Sequence, residues 1–197
     1  MRLLLATHNE HKRRELARLL PEHEIALLPD AVELPPEDGE TFAENALGKA
    51  RAAARATAEA TIADDSGIAA AALRGAPGIR SARYAGEHAS DEQNLAKLLA
   101  EVPAGDVLEY ICALVYVDPR HDLERVFQER CRGTLAAQPR GAGGFGYDPA
   151  FLPDDGPAGL TMAELSDAQK DAISHRGRAA RALAQWLRAD AQTLRTG

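Results

Sequence analysis

The stretch EYICALVYVDPRHDLERVFQERC, residues 109–131, decides the fold. It holds two runs suited to strands, Glu109 to Val117 and Glu124 to Cys131, and the first ends at the turn pair Asp118-Pro119. An antiparallel pair is expected. Upstream the pattern differs. Arg2 to Ala6 is a short, mostly apolar stretch, leucines 16, 19 and 20 within Lys12 to Leu20 fall at helical spacing, and Ile25 to Leu28 suits a second strand. Such alternation builds parallel strands, whereas a hairpin adds antiparallel ones. The two together predict a mixed sheet with helices, an α/β fold.

Working outward, Pro29 to Gly39 is acidic and proline-bearing and suits no regular element. Thr41 with Glu44 three residues later is a capping-box pattern that opens an alanine-rich helix to about Ala60. Thr61 to Ala63 predicts a short strand that ends on Asp64, Asp65, Ser66 and Gly67. Residues 68–73 resume an apolar pattern, which the Gly/Pro cluster at 75–78 breaks. Asp91 to Leu99 reads as a helix, Gly141 to Pro149 as a glycine-rich loop, and Met162 to Leu165 as the start of a helical stretch. Ala179 to Leu194 is expected to form a terminal helix carrying Leu183, Trp186 and Leu187. With 197 residues, 45% of them hydrophobic, and no repeat or low-complexity linker, one domain spanning 1–197 is expected.

Charge narrows the partners. There are 23 basic against 30 acidic residues, a net of −7, and no basic run able to track a phosphate backbone. Polymeric nucleic acid is therefore not expected, while small phosphorylated ligands need only a few local cations and amides. Cys112 and Cys131 lack metal-ligand spacing and read as buried thiols in a reducing compartment. Met1 to Ala6 is too short for a signal peptide and no later run approaches membrane-spanning length, which points to the cytoplasm and away from a membrane.

Five segments carry candidate chemistry. Thr7-His8-Asn9-Glu10-His11-Lys12 sits where a strand yields to a helix, so amides, a hydroxyl and an ammonium converge at a helix N-terminus, a natural phosphate site. The plainer alternative is an N-cap followed by a solvated lysine. Asp64-Asp65-Ser66-Gly67 places two carboxylates between apolar flanks, which is costly unless a cation or hydrogen bonds compensate. Strand geometry would send neighbouring side chains to opposite faces; an acidic turn is the alternative. Glu33, Glu37, Asp38, Glu40 and Glu44 form an acidic stretch, of which one member with Asp65 would suffice for Mg²⁺. The others suit a helix N-terminus or solvent. Asn45 and Lys49, four apart on the following helix, face one way, and Lys49 either reaches a phosphate or lies at the surface.

The fourth segment is Gly143-Gly144-Phe145-Gly146-Tyr147-Asp148-Pro149, whose glycines let backbone approach a flat ligand while Phe145 offers a ring face. Asp148 would accept from a base N–H or the ribose. A structural turn with Phe145 in the core is the alternative. The fifth is Lys170 with Ser174-His175-Arg176, donors gathered before the terminal helix. Donors there suit a purine O6, and an adenine amino group would leave them unpaired. A serine cap with two surface residues is the plain alternative.

Taken in this order, with Leu5-Ala6-Thr7-His8-Asn9, Thr41 to Ala46, Asp64 to Gly67, Pro77-Gly78-Ile79-Arg80-Ser81-Ala82-Arg83-Tyr84, Gly143 to Pro149 and Ser174 to Arg176, the chain closely resembles the inosine triphosphate pyrophosphatase family, the non-canonical purine NTP pyrophosphatases. The resemblance implies an elongated mixed central sheet flanked by helices, two lobes with a substrate cleft between them, a homodimer, Mg²⁺ dependence, and hydrolysis of ITP, dITP or XTP to the monophosphate and pyrophosphate. Carried over by position, Thr7, His8, Asn9 and Lys12 hold phosphates. Asp65 is the catalytic and metal carboxylate, Ser66 touches substrate, and Glu37 is the second metal position, with Glu40 as its alternative. Phe145, Gly146, Tyr147, Asp148, Lys170, His175 and Arg176 form the base pocket. His11 departs from the family, where a glycine often precedes the lysine, and the alanines after Ile68 are smaller than the family pattern.

The mechanism that follows joins Mg²⁺ at Asp65 and an acidic partner to Lys12 and Lys49, with water attacking the α-phosphorus. Two competing readings are a pyrophosphatase for modified pyrimidine nucleotides, which the donors at 174–176 disfavour, and a nucleotide sensor without turnover. The acidic pair disfavours the sensor, since carboxylates repel phosphate unless metal intervenes.

Overall fold

The computed structural model describes residues 1–196, with side chains described through residue 189. The chain runs β1 (Arg2–Leu5), α1 (Glu10–Leu19), β2 (Glu24–Leu27), α2 (Phe42–Thr57), β3 (Thr61–Ala70), α3 (Asp91–Glu101), β4 (Val107–Asp118), β5 (Leu123–Leu135), β6 (Phe151–Pro153), α4 (Asp167–Ile173) and α5 (His175–Thr196), with short 3-10 turns between. Six strands form one sheet in the order β2-β1-β3-β4-β5-β6. β1 pairs in parallel with β2 and β3, and β6 pairs antiparallel with β5. Between β4 and β5 the link is only Pro119 to Asp122, too short for a parallel crossover. The sheet is therefore mixed, as the 109–131 stretch predicts, and its α/β class is the expected one.

By contact density the chain divides into two compact units. The first comprises Met1–Asp65, Cys112–Glu129 and Arg176–Gly197, the second Ser66–Ile111 and Arg130–His175. In the first unit, successive residues of β1 bury into different clusters. Leu3 and Leu5 join Leu16, Ile62, Leu114 and Leu183, while Leu4 joins Ala63, Val115 and the helical alanines 46, 50, 53 and 54. Alternate side chains of a strand point to opposite faces, so both faces of β1 are covered, which is why Arg2 to Ala6 reads as a continuous apolar run. The alanines recur at helical spacing on α2, and a stripe of such small residues lets the helix lie close to its neighbours. In the second unit Ile68, Leu98, Leu108, Phe151 and Met162 form the centre of a separate core.

Local signals act as read at α2. Thr41 Oγ1 accepts from the Glu44 amide at 3.1 Å, and Glu44 Oε2 accepts from the Thr41 and Glu40 amides. Both orphan ends of the first turn are thereby satisfied. The helix stops at Ala58, in a left-handed conformation at φ 55°.

Two expectations need correction. β3 does not end at Asp64; it runs for ten residues, Thr61–Ala70, through both carboxylates and Gly67. Lys12 from α1, Asn45 from α2 and Arg176 from α5 meet the two acids in mid-strand and offset the cost of burying them, so nothing forces the chain to turn. α5 begins at His175 rather than near Ala179, which puts His175 and Arg176 inside its first turn. The helical stretch read from Met162 is present as a 3-10 turn, Met162–Glu164, followed by α4, whose Ser166 accepts from Gln169 N, whereas β6 lies in a stretch whose apolar pattern is too short to declare it.

Candidate functional site

In the first unit the loop after β1 is ordered by its own side chains. Asn9 Oδ1 accepts from the amides of His11 and Lys12 at 3.0 and 3.1 Å, and Thr7 Oγ1 accepts from the Asn9 amide at 3.1 Å. Asn9 is thus an N-cap, but Lys12, in the first turn of α1, is not the solvated lysine of that reading: its side chain is 12% exposed and its ammonium lies 3.4 Å from Asp64 Oδ2. His8 and His11 are exposed.

From α2, two side chains four apart reach β3. Asn45 donates to Asp65 Oδ2 at 2.9 Å, and Lys49 donates to the Asp64 carbonyl at 2.8 Å. Lys49 also pairs with Glu37 Oε1. Of the acidic stretch, Glu37 therefore turns inward, whereas Glu33, Asp38 and Glu40 are exposed and Glu44 is spent on the cap. Ser66, next along β3, is half-buried.

The electrostatics follow from burial and from which cations are near. Burial would raise the carboxyl of Asp64, but Lys12, Arg176 and Lys49 together outweigh it and hold it well below the usual carboxylate range. At Asp65 the balance tips the other way. Burial dominates, the neighbouring Glu37 charge adds to it, and Lys12 and Lys49 do not fully compensate, so its carboxyl is raised. Burial is overcome at Glu37 by Lys49, and at Lys49 by Glu37, Asp64 and Asp65; both pairings favour the charged forms. Adjacent carboxylates in one strand are thus shifted in opposite directions, Asp64 down and Asp65 up.

Arg176 is 1% exposed. Its Nε and Nη2 donate to Asp64 Oδ2 at 3.1 and 2.8 Å, and its Nη1 to Glu15 Oε2 at 2.6 Å. Its guanidinium is committed to these two carboxylates, and burial notwithstanding they hold it protonated. Glu15 was not anticipated from sequence; it looks like any acidic residue on an amphipathic helix, and only its position facing α5 distinguishes it.

In the second unit the glycine-rich loop is organised around Asp148, which is 3% exposed. Its Oδ1 accepts from the Tyr110 hydroxyl at 3.0 Å, and its Oδ2 accepts from the Phe145 amide at 3.0 Å and the Lys170 ammonium at 2.7 Å. Lys170 Nζ also lies 5.2 Å from the centroid of the Phe145 ring, over its face. Tyr110 stacks on His175, centroids 4.6 Å apart and planes within 4°. Tyr147 is buried, and its hydroxyl donates to the Ser81 carbonyl at 2.7 Å. Gly144 has φ +69°, and a Cβ there would stand 2.0 Å from Asp148 Oδ2, so only glycine lets the loop close on that carboxylate.

The structure thus gathers Lys12, Glu37, Asn45, Lys49, Asp64, Asp65 and Arg176 in the first unit, and Phe145 to Asp148, Lys170 and His175 in the second. Tyr110, which touches both Asp148 and His175, was missed because a tyrosine in a strand looks like core.

A sequence profile of the Ham1 family matches residues 3–186. A dITP/XTP pyrophosphatase of Frankia alni is 48% identical, with 95% of this chain and 98% of that protein aligned; one from Yersinia pseudotuberculosis is 47% identical over the same shares. Among solved structures, a HAM1 protein from Coxiella burnetii superposes with a TM-score of 0.85 at 36% identity, covering 96% of this chain and 99% of that one. A nucleoside-triphosphatase/dITP/XTP pyrophosphatase from Mycobacterium abscessus does so with a TM-score of 0.71 at 42% identity, covering 93% and 98%.

Proposed function

Because the chain belongs to the Ham1 family, we infer that it is a nucleoside triphosphate pyrophosphatase that hydrolyses non-canonical purine nucleotides, dITP, XTP and ITP, to the monophosphate and pyrophosphate. The observation that supports this best is the pair of ammoniums, Lys12 and Lys49, held against the buried Asp64-Asp65 pair. Cations so placed suit a polyphosphate, and a raised carboxyl beside them suits a base.

The donor set fits a hard divalent cation. Asp65 and Glu37 offer carboxylate oxygens; among the described residues the adjacent Asp64 Oδ1 is buried with no hydrogen-bond partner, and Glu37 raises Asp65 by its charge. Among the described residues no group of three His, Cys, Asp or Glu converges to cage a metal unaided. Two carboxylates with water and substrate phosphates completing the shell are the preference of Mg²⁺. Asp65 and Glu37 would hold it, and when bound it supplies charge neutralisation at the phosphoryl oxygens.

The chain's own groups account for the remaining steps. Thr7, His8, Asn9 and Lys12 bind phosphate oxygens at the N-terminus of α1, and Lys49, freed from Glu37 as phosphate arrives, offsets developing charge. Asp65 accepts a proton from the attacking water; its raised pKa suits that task better than an ordinary aspartate's. The oxygen bonds to the α-phosphorus, the bond to the bridging oxygen breaks, and pyrophosphate leaves. Ser66 contacts substrate beside Asp65.

For the base we assign the Phe145 ring face, the loop backbone at Gly146 and Tyr147, and the donors Lys170 and His175, with Asp148 fixing the loop. A 6-oxo purine accepts from such donors, and the amino group of adenine would leave them unpaired. Arg176 contributes by holding Asp64 rather than through a free guanidinium. The chain serves as one catalytic domain and, on the family resemblance, as a cytoplasmic homodimer. No helix among the described residues is long and apolar enough to cross a membrane.

The test is incubation with Mg²⁺ and, separately, ITP, XTP, dITP, GTP and ATP, with monophosphate and pyrophosphate measured. Release from the first three with little from ATP is expected, and GTP, which shares the 6-oxo group, reports whether the pocket also reads the 2-position. Turnover of ATP equal to that of ITP would overturn the base assignment, and no turnover of any would favour a nucleotide sensor.

A further inference from the structure

We propose that Asp91, at the start of α3, is a positioning residue that fixes the Phe145 loop through the Gly146 amide and so sets affinity for the purine base without touching it.

Asp91 lies far from the glycine loop in sequence, yet its Oδ2 accepts from the Gly146 N–H at 2.9 Å across 55 residues. An acid in a helix's first turn ordinarily needs no explanation beyond the helix dipole. Here the end of α3 is already satisfied. Ser90 Oγ accepts from the Gln93 amide at 3.3 Å and Gln93 Oε1 accepts from the Ser90 amide at 2.8 Å, a complete capping box that does not use Asp91. Its carboxylate is left to serve the loop.

Phe145 is flanked by glycines in left-handed conformations, Gly144 at φ +69° and Gly146 at φ +62°. A loop with two such residues has many alternative backbone states, and the ring of Phe145 swings with them. Two carboxylates restrict that freedom. Asp148 holds the Phe145 amide from within the loop, and Asp91 holds the next amide from another element. The Tyr147 hydroxyl, on the Ser81 carbonyl, is a further tie. Ser81 belongs to the Pro77 to Tyr84 motif, to which the chemistry assigns no other task; its own hydroxyl accepts from the Ile68 amide at 2.8 Å and so anchors that turn to β3. A hydrogen bond to an ionised acceptor is stronger than a neutral one, which suits Asp91 to the role.

The inference rests on the functional reading above, and its test separates the two. Asp91→Ala and Asp91→Asn are compared with wild type for kcat and KM on ITP with Mg²⁺, for melting temperature, and for amide hydrogen exchange across residues 143–148. Asp91→Ala is expected to raise KM between about two- and ten-fold, the worth of one hydrogen bond, with kcat nearly unchanged, faster exchange in that segment and little change in melting temperature. Asp91→Asn keeps an acceptor and is expected to restore most of both. Wild-type KM and exchange in Asp91→Ala would overturn the proposal, as would a fall in kcat and melting temperature at constant KM, the mark of a merely structural role. If wild type itself releases no pyrophosphate, the functional reading fails, and the exchange comparison still decides whether Asp91 holds the loop.

Discussion

Arg176 and Asp64 meet through a forked contact in which Nε and Nη2 both donate to one carboxylate oxygen, at 3.1 and 2.8 Å, with neither side chain open to solvent. The third guanidinium nitrogen is taken by Glu15. Two acids share one cation, and Lys12 and Lys49 supply the remaining positive charge around Asp64.

Removing that cation strands buried charge. Arg176→Ala is expected to cost about 3–5 kcal/mol of unfolding free energy, because Asp64 and Glu15 are left uncompensated. Arg176→Lys keeps the charge but loses the fork and should cost less. Urea denaturation measures both; a loss below about 1 kcal/mol for the alanine variant would mean that water or Lys12 replaces the guanidinium.

Acid should expose the same dependence. In the folded chain the carboxyl of Asp64 lies below its ordinary 3.8, so as pH falls the unfolded chain takes up the proton first. The stability from this pair is therefore present in full above about pH 5 and is lost as the pH falls through the carboxylate range. Melting temperature recorded from pH 7 down to pH 3 should fall for wild type and fall less steeply for Arg176→Ala. Parallel curves would assign the acid sensitivity elsewhere.

Asp65→Asn keeps an oxygen to accept from Asn45 but cannot take a proton. Turnover of ITP is expected to fall by about 100-fold or more while circular dichroism stays that of wild type. Wild-type turnover at saturating Mg²⁺ would remove Asp65 from the catalytic role.

Gly144→Ala places a Cβ 2.0 Å from Asp148 Oδ2 on a backbone at φ +69°. The loop cannot close on that carboxylate, and KM for ITP should rise more than in Asp91→Ala. An unchanged KM would show that the closed loop is not required for base binding.

Cys112 is fully buried, and burial together with the Asp64 charge pushes its thiol up to about 12. At pH 8 roughly one thiol in ten thousand would be ionised, and Cys131 is equally inaccessible. Iodoacetamide should label neither cysteine in the native protein and both in guanidinium, as counted by mass spectrometry. Native labelling at Cys112 would contradict its burial.

Much of the architecture was legible because the signals are local. The capping box at Thr41 and Glu44, the helical spacing of leucines in α1 and the apolar run of β1 each lie within a few residues of the element they specify. Asn9 was readable as a cap for the same reason. The 109–131 stretch carried the mixed sheet because a short turn leaves only one way to pair its flanking strands. β3 was misread as ending at Asp64 for the opposite reason: two charges look like a strand terminator unless their partners are known. Those partners come from Lys12, Asn45, Lys49 and Arg176, and no window of sequence contains them all.

By itself the sequence determined the mixed α/β class, most of the helices and strands, the family and the residue types available for phosphate, metal and base. The tertiary structure alone decided which groups pair: that Glu37 rather than Glu40 meets Lys49, that Arg176 turns to Asp64 and Glu15, and that Asp91 reaches Gly146. The physical reason is that caps and periodicities act over one or two turns of chain, whereas Arg176 and Glu15 stand 161 residues apart. Whether such charges meet depends on packing that buries them together and on desolvation that makes leaving any one unpaired costly.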